Sequence, residues 1–513
     1  MHRRSWSWAV GAAAVLVGAL VPYLVAARAQ PPDLVFSGFL VNPVDGFSYL
    51  AKMRQGAGGS WMFRLPYAAD PGEGSLLFVY YLLLGHIQRL SRASPLVVYH
   101  AARLAGGFLM VLAARQFFEI FVEDTAARRR AFALVLFGSG LGWVAMGVGR
   151  LSIDLWVPEA IPFLSILVSA HFSLAAAAML TASVAIAGPV RPRGGRVPWA
   201  AASGLVLALV QPFAVFVVLA VAAVWLVWER TASATPALPE RSPRLMAWLA
   251  FGLVSLPWIV YDLWVTRVNP ALAAWSSQNL TPSPPVLDVV LGFGLVLPLA
   301  AIGVIRSRKV ASPSGRFLVV WLVIGLGMVF APVPLQRRLL LGVFFPMAAL
   351  AGVSLATIRK PRLASAALLA LCLPTNAIVV AATLGGALRG EPDVVLTTAE
   401  SRAYAWIDRE VPDGSLVLAE PVSGNRLPAF ADIRVVYGHP FETPGAEAEE
   451  AWVTSFFAGG LDAGEALARL RARDVDYVFV GPRETAMGAH GWAAALRVVY
   501  DEGGVAVYEV PPS

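Results

Sequence analysis

The stretch on which the fold depends is residues 31–74, PPDLVFSGFLVNPVDGFSYLAKMRQGAGGSWMFRLPYAADPGEG, which follows the first hydrophobic segment. It is polar and aromatic, and it is dense in Gly and Pro. A helix over residues 45–55 would place Asp45, Tyr49 and Lys52 on one face and three apolar residues on another. This spacing predicts an amphipathic helix that lies on a membrane surface and turns one carboxylate inward.

Two roles are open for Asp45 at this stage. It lies only a few residues beyond the end of a predicted membrane span, where a carboxylate could act as a general base. The surrounding residues, NPVDG, are also good turn and N-cap chemistry, so Asp45 could simply cap the helix. The residues alone do not separate these two interpretations.

Composition determines the class of protein. The 513 residues are 58% hydrophobic and only 14% charged, with a mean hydropathy of +0.66, which indicates a polytopic membrane protein. Residues 1–388 carry a net charge of +17 and residues 389–513 a net charge of −10. The high pI therefore reflects membrane topology and not nucleic-acid binding. The single cysteine, Cys372, excludes an intrachain disulfide and a cysteine metal site.

The hydrophobic runs predict about eleven membrane spans. Arg3 and Arg4 precede the first run and basic residues recur in alternate loops, so the N-terminus is expected in the cytoplasm and the C-terminus outside it. A break is expected at Gln211-Pro212. Residues 75–90 are too short for a span and are expected to dip into the outer leaflet. The predicted spans are residues 8–27, 96–121, 131–148, 161–187, 199–228 as two short helices, 245–265, 286–305, 317–331, 339–358 and 363–388.

The chain changes character near residue 389. Residues 389–513 are predicted to form a small extracytoplasmic α/β domain, and residues 1–388 the transmembrane domain. Helices are expected at residues 446–457 and 463–473, and the last two strands should form a hairpin at Gly503-Gly504. SGNRLPAF, residues 423–430, is the only loop here that resembles a binding segment, and a simple turn is the preferred interpretation. The region contains no glycine-rich nucleotide-binding motif and no paired-histidine spacing.

Several ionisable residues lie in or near the predicted spans. Arg103 is far from water in this topology and therefore needs a carbonyl or acidic partner. Asp154 and Glu159 share the second outer loop, on the same side as Asp45, and two such carboxylates could work as a base and an orienting group. Arg337 and Arg338 lie at an outer boundary, where a pair of arginines suits a lipid-linked phosphate.

The order of these features resembles the GT-C superfamily of membrane glycosyltransferases. The resemblance is carried by the first span, the early Asp in NPVDGFSYLAKMRQG, the helix GSLLFVYYLLLGHIQRL, a RLAGG-type span and a late outer Arg. The superfamily includes protein O-mannosyltransferases, lipid A aminoarabinose transferases and oligosaccharyltransferase catalytic subunits. No WWDYG-like motif is present, which argues against the oligosaccharyltransferase branch. The tail resembles those of bacterial proteins of this kind.

The resemblance implies an inverting glycosyltransferase of the bacterial inner membrane that moves a sugar from a polyprenyl-phosphate donor to an extracytoplasmic glycan, lipid or protein. It implies no cofactor. The NPVDG motif has a single Asp where many members have an acidic pair, and no divalent metal is indicated. The expected catalytic residues are Asp45 and Asp154; the donor phosphate would meet Arg337, Arg338, Lys52 and Arg54; substrate would contact Tyr49, Tyr67, His86 and Glu159.

Two alternatives come from other classes of protein. A lipid or polysaccharide transporter would need charges along a continuous path, whereas the charges here concentrate on one face of the membrane. The absence of an internal repeat also weighs against transporter folds built from repeated halves. A non-catalytic scaffold whose outer domain binds an envelope polymer is compatible with every feature of the sequence.

Overall fold

The computed structural model describes residues 3–189, 195–232, 238–306, 311–488 and 491–512. Helices dominate residues 3–388 because apolar runs form internally hydrogen-bonded segments in a membrane. These helices are α1 (Arg3–Arg28), α2 (Pro43–Ala57), α3 (Val79–Ser91), α4 (Pro95–Phe121), α5 (Thr125–Phe137), α6 (Gly142–Gly147), α7 (Ile153–Trp156), α8 (Pro162–Val168), α9 (Ala170–Ala187), α10 (Arg196–Val210), α11 (Pro212–Ala232), α12 (Leu238–Val268), α13 (Pro270–Gln278), α14 (Val286–Phe293), α15 (Val296–Arg306), α16 (Pro313–Met328), α17 (Phe344–Thr357) and α18 (Pro361–Leu388).

Seven described segments are long and apolar enough to cross a membrane, and an eighth results if α14 and α15, bent by 84°, form one span. The seven are α1, α4, α9, α11, α12, α17 with its preceding turn, and α18. The shorter apolar helices α10 and α16 match two further predicted spans. The predicted fold class, a polytopic helical membrane protein with a small C-terminal α/β region, is confirmed.

Two predicted spans are divided by helix breaks. The span expected at residues 131–148 ends as α5 at Phe137, where Gly138 takes an extended conformation, and Gly140 then lies so close to another backbone that an added Cβ would be 2.1 Å from Gly292 O. The span expected at residues 161–187 is interrupted at Ser169, between α8 and α9. The break predicted at Gln211-Pro212 is confirmed, since α10 ends at Val210 and α11 begins at Pro212.

Arg103 satisfies carbonyl groups that the break at Ser169 leaves without helical partners. The guanidinium is fully buried; its Nη1 donates to the carbonyls of Ile166 at 2.7 Å and Leu167 at 3.1 Å, and its Nη2 to that of Ala19 at 3.2 Å. The last carbonyls of a helix need such donors when they are buried. The prediction that Arg103 requires a carbonyl partner is confirmed.

Strands and further helices follow α18. They are β2 (Val395–Thr397), α19 (Thr398–Glu410), β3 (Leu416–Leu418), α20 (Pro421–Phe430), β4 (Arg434–Val435), α21 (Ala446–Phe457), α22 (Ala463–Arg471), β5 (Tyr477–Val480), α23 (Pro482–Met487), β6 (Arg497–Glu502) and β7 (Val505–Glu509); β1 (Leu34–Phe36) lies early in the chain. The predicted helices at residues 446–457 and 463–473 and the Gly503-Gly504 hairpin are found in the structure. SGNRLPAF is not a turn but most of α20, which begins at Pro421 with its first amide groups bonded to Glu420.

The five-stranded sheet has the order β4-β3-β5-β7-β6, with β3 parallel to both of its neighbours and β7 antiparallel to β5 and β6. Side chains alternate between its faces. Val417 and Phe479 pack on one side with α19 and α20, while Leu418 and Val480 pack on the other with α21 and α22. Both faces are therefore covered by helices.

The chain divides into two compact units. The first unit is Met1–Pro22, His100–Tyr261 and Thr281–Thr383; the second unit is Tyr23–Tyr99, Asp262–Leu280 and Leu384–Ser513. The 31–74 loop therefore belongs with the C-terminal region, whereas the sequence placed it in the transmembrane domain. Within the second unit, β1 pairs with β2 and α2 packs against α3 and α20.

Candidate active site

Asp45 lies in the first turn of α2. The helix begins because Asn42 adopts a left-handed conformation (φ 49°) and Pro43 supplies a preset φ at the first helical position. The N-terminal end of a helix carries partial positive charge, which stabilises a carboxylate there. The Asp45 side chain is 40% exposed. Because Asn42 and not Asp45 is the N-cap residue, the simple capping interpretation is wrong.

Two side chains hold the Asp45 carboxylate. The Asn42 amide donates a hydrogen bond to Oδ2, and His439 Nε2 lies 3.2 Å from Oδ1. His439 is 2% exposed and follows β4, so it comes from the C-terminal part of the sequence. A carboxylate that is partly exposed and held from two sides is a suitable group for accepting a substrate proton.

Lys52 lies in the interior of the protein. Its side chain is fully buried, and Nζ lies 2.8 and 2.9 Å from the two carboxylate oxygens of Glu442, while Ser48 Oγ donates to Glu442 Oε1 at 2.7 Å. Burial alone would raise the pKa of the Glu442 carboxyl, but the Lys52 ammonium and the hydrogen bonds from Lys52 and Ser48 act in the opposite direction, and the pKa is lowered. The prediction that Lys52 binds donor phosphate is wrong, because Glu442 neutralises it.

The packing of α2 also differs from the amphipathic surface helix that the sequence predicted. Phe47, Leu50 and Met53 are buried as the spacing predicted, but Ser48 and Lys52 on the other face are buried too. The helix is enclosed between α3 and α20 and is not an amphipathic helix with one solvated face.

Arg54 and Tyr67 serve the packing of the second unit. Arg54 forms an ion pair with Asp408 of α19, and burial lowers the pKa of its guanidinium, against the raising effects of Asp432 and Asp413. Tyr67 is fully buried and donates to Asn425 O at 3.1 Å. Burial, then the charges of Glu442 and Asp45, raise its pKa well above the usual value. The substrate-binding role of Tyr67 is therefore wrong, because its side chain is fully buried, whereas phosphate binding by Arg54 stays a prediction.

Tyr49 and His86 lie closer to the surface. The Tyr49 ring stacks on Tyr81 with a centroid distance of 4.5 Å and an interplanar angle of 4°. The His86 ring stacks on Trp61 at 4.0 Å, and its Nε2 lies 3.2 Å from Ser60 O. Aromatic faces of this kind suit sugar rings, so their substrate-binding role stays a prediction.

In the first unit, Asp154 organises a loop. It is fully buried and its carboxylate accepts hydrogen bonds from Ser152 Oγ at 2.6 Å, Gly142 N at 2.9 Å, Gly140 N at 3.0 Å and Ser139 Oγ at 3.2 Å. Burial raises the pKa of this carboxyl, although the hydrogen bonds act in the opposite direction. These four hydrogen bonds give Asp154 a structural role in the loop, and its catalytic role stays a prediction.

Glu159 and the arginine pair also lie in the first unit. Glu159 is only 4% exposed, which corrects its expected position in an open loop. The Arg337 guanidinium lies 4.8 Å from the Trp156 ring, and that of Arg338 lies 5.3 Å from the Phe213 ring. Arg337 Nε is buried and makes no hydrogen bond within the part of the chain that the structure describes. Phosphate binding by this pair stays a prediction, with Arg337 the stronger candidate.

The sequence interpretation missed His439 and Glu442. Both lie in GHPFET, a segment directly after the predicted strand IRVVYG. Loops at the carboxyl ends of parallel strands commonly carry functional side chains, and β4 is parallel to β3. That rule could have singled out the segment but not its partners in α2. Within the described ranges, no group of three or more His, Cys, Asp or Glu residues could hold a metal ion.

No family model and no curated protein match the sequence. Solved structures do match. ArnT from Cupriavidus metallidurans in the apo state aligns with a TM-score of 0.55 at 13% identity over 98% of both chains. A second ArnT structure, bound to undecaprenyl phosphate, gives 0.52 at 14% identity with the same coverage.

Two other solved structures resemble this chain with similar TM-scores. The apo oligosaccharyltransferase of Archaeoglobus fulgidus aligns with a TM-score of 0.53 at 12% identity, over 98% of this chain and 74% of that one. The arabinofuranosyltransferase AftD from Mycobacteria gives 0.52 at 15% identity, over 100% of this chain and 40% of that one. All of these are glycosyltransferases embedded in membranes. The chain therefore has the fold of the GT-C membrane glycosyltransferases.

Proposed function

We propose that the protein is an inverting glycosyltransferase that moves a sugar from a polyprenyl-phosphate donor to a hydroxyl group of an extracytoplasmic acceptor. Asp45 takes the proton of the acceptor hydroxyl. The acceptor oxygen then attacks the anomeric carbon, the bond from that carbon to the donor phosphate breaks, and the electron pair leaves on the phosphate. In this proposal the enzyme lies in the bacterial inner membrane, with residues 389–513 outside the cytoplasm.

The observation that carries this proposal is the setting of Asp45. Its carboxylate is partly exposed at a helix start and is held by Asn42 and His439, whereas Asp154 is buried among protein donors. Of the two acids that the resemblance nominated, only Asp45 is accessible to a substrate. The ArnT structure with undecaprenyl phosphate supports a lipid-phosphate donor through its fold.

Replacing Asp45 by Asn tests the base directly. Asn preserves the size of the side chain but is a far poorer proton acceptor, so transfer should fall by about two to four orders of magnitude. Transfer is measured in membrane vesicles with labelled sugars on undecaprenyl phosphate and an endogenous acceptor. The matched control is Asp70→Asn in the same loop, where the amide oxygen can still accept from Gly72 N and transfer should be normal.

Near-normal transfer by Asp45→Asn at normal expression would falsify the catalytic role of Asp45. If the unaltered protein transfers no sugar from any donor of this class while binding envelope polymer, the scaffold interpretation would replace the enzyme.

A further inference from the structure

His439 is held in one orientation by its own loop. Its Nδ1 accepts hydrogen bonds from the backbone N–H groups of Phe441 at 3.1 Å and Glu442 at 3.2 Å. The loop is closed in turn by Thr443, whose Oγ1 accepts from the backbone N–H of His439 at 3.2 Å and whose N–H donates to His439 O at 2.9 Å. Thr443 is fully buried and His439 nearly so.

These contacts determine which ring nitrogen carries the proton. A ring nitrogen accepts hydrogen bonds through its lone pair, so Nδ1, which accepts from two N–H groups, carries no hydrogen. The hydrogen of the neutral imidazole therefore lies on Nε2. That nitrogen is the one 3.2 Å from Asp45 Oδ1. The imidazole therefore donates a hydrogen bond to the carboxylate.

The packing around His439 restricts other arrangements. The Tyr67 ring lies 5.7 Å from the imidazole, and the negative charge of Glu442 is neutralised by Lys52 at 2.8 Å. A ring rotated by 180° would leave the N–H groups of Phe441 and Glu442 facing a carbon atom, without the acceptor that Nδ1 provides.

From this geometry we infer that His439 is a positioning residue for Asp45: its loop fixes the Nε2–H tautomer, and the Nε2–H group orients the Asp45 carboxylate toward the acceptor hydroxyl. This inference rests on the proposed function of Asp45. It gives a residue of the C-terminal region a role in the reaction, although the His439 side chain does not itself touch substrate.

Two variants separate the two nitrogens of His439. In His439→Asn the amide oxygen can replace Nδ1 as acceptor for the loop, but the side chain is too short to reach Asp45. In His439→Gln the longer side chain can carry an N–H group to the position of Nε2. We expect His439→Asn to lower kcat by roughly 10- to 100-fold, the usual effect of losing an orienting partner, with KM unchanged. His439→Gln should recover part of kcat.

A double variant tests whether His439 acts through Asp45. If His439 works through that carboxylate, adding His439→Asn to Asp45→Asn should not lower the residual rate further. An equal loss of rate in both backgrounds, a loss confined to KM, or a full rate in His439→Asn would overturn the inference.

A measurement without substrate distinguishes failure of this inference from failure of the proposed function. With ¹⁵N-labelled histidine, NMR of the protein in membranes should show His439 as neutral with its proton on Nε2; the resonance is assigned by its disappearance in His439→Asn. A proton on Nδ1 would overturn the inference even if Asp45 proves catalytic. The expected tautomer with no sugar transfer by the unaltered protein would instead reject the proposed function, and with it the orienting role.

Discussion

At the scale of the residue, Lys52 shows how far burial changes the role of a side chain. Its ammonium has no exposure and its charge is balanced by Glu442 at 2.8 Å. Breaking a buried ion pair leaves an uncompensated charge, so Lys52→Met should destabilise the protein by about 3 to 5 kcal/mol. Adding Glu442→Gln should restore most of this loss. Thermal unfolding of the purified protein measures both effects.

The matched control is the exposed pair Arg402–Glu502 at 2.7 Å, with side chains 62% and 52% exposed. Arg402→Met should cost less than about 1 kcal/mol. If Lys52→Met and Glu442→Gln were additive, the two side chains would not form an energetically coupled pair.

The same pair predicts a dependence on pH. The pKa of Glu442 is lowered in the folded protein from its usual value of 4.5. Its contribution to stability is therefore present above pH 4.5 and is lost as the pH falls through the lower folded value. Unfolding temperatures from pH 7 down to 3 should show a steeper acid loss in the unaltered protein than in Lys52→Met/Glu442→Gln. Parallel curves would contradict this.

A further prediction is that Arg337 binds the donor phosphate. Its Nε–H group is buried and makes no hydrogen bond in the described part of the chain, and an anion could accept one. Arg337→Ala should weaken use of an undecaprenyl-phosphate donor by roughly 2 to 4 kcal/mol, and Lys should rescue only partly. Initial transfer rates at varied donor concentration measure the effect. Full activity of Arg337→Ala at normal expression would remove phosphate binding from its role.

At the scale of the element, the crossing of α2 and α3 depends on two glycines. A Cβ added to Gly56 would lie 2.1 Å from Leu82 O, and one added to Gly85 would lie 1.9 Å from Met53 O. The obstacle is backbone in both cases, so the helices must separate. Gly56→Ala or Gly85→Ala should cost at least about 1 to 3 kcal/mol, the usual cost of overpacking.

Gly58→Ala, at the end of the same helix, is the control. Its φ is −66° and the nearest atom to an added Cβ is 3.4 Å away, so it should be tolerated. Thermal unfolding compares the three variants, and equal stability would mean that the crossing is not tightly packed. Since α2 carries Asp45, we expect Gly85→Ala to lower sugar transfer as well.

At the scale of the whole molecule, topology is the main prediction. A reporter that is active only outside the cytoplasm, fused to the C-terminus, should be active. The same reporter inserted between Asp124 and Thr125, in the loop after α4, should be silent because Arg128, Arg129 and Arg130 favour the cytoplasmic side. The opposite pattern with a normally inserted protein would reverse the predicted orientation.

Local patterns predicted much of the fold. Apolar runs located the spans because a membrane requires helices that satisfy their own backbone groups. Pro212 predicted a helix break, alternating β-branched residues predicted strands, and Gly503-Gly504 predicted a hairpin. Each of these depends on residues within one segment, so the neighbouring sequence contains the information.

The sequence by itself also nominated Asp45, which lies only a few residues beyond the first predicted span, and NPVDG marked the helix start where the structure begins α2. Only the tertiary structure decided which polar residues could meet a substrate. Lys52 and Glu442 are 390 positions apart and Asp45 and His439 are 394 apart, so no local period records either pairing. Asp154 has the residue type and loop position of a catalytic acid, yet it is buried, and backbone N–H groups of Gly140 and Gly142 bind its carboxylate. Residue type and spacing determined the elements; burial and hydrogen bonding, which exist only after the elements pack, determined the roles of their side chains.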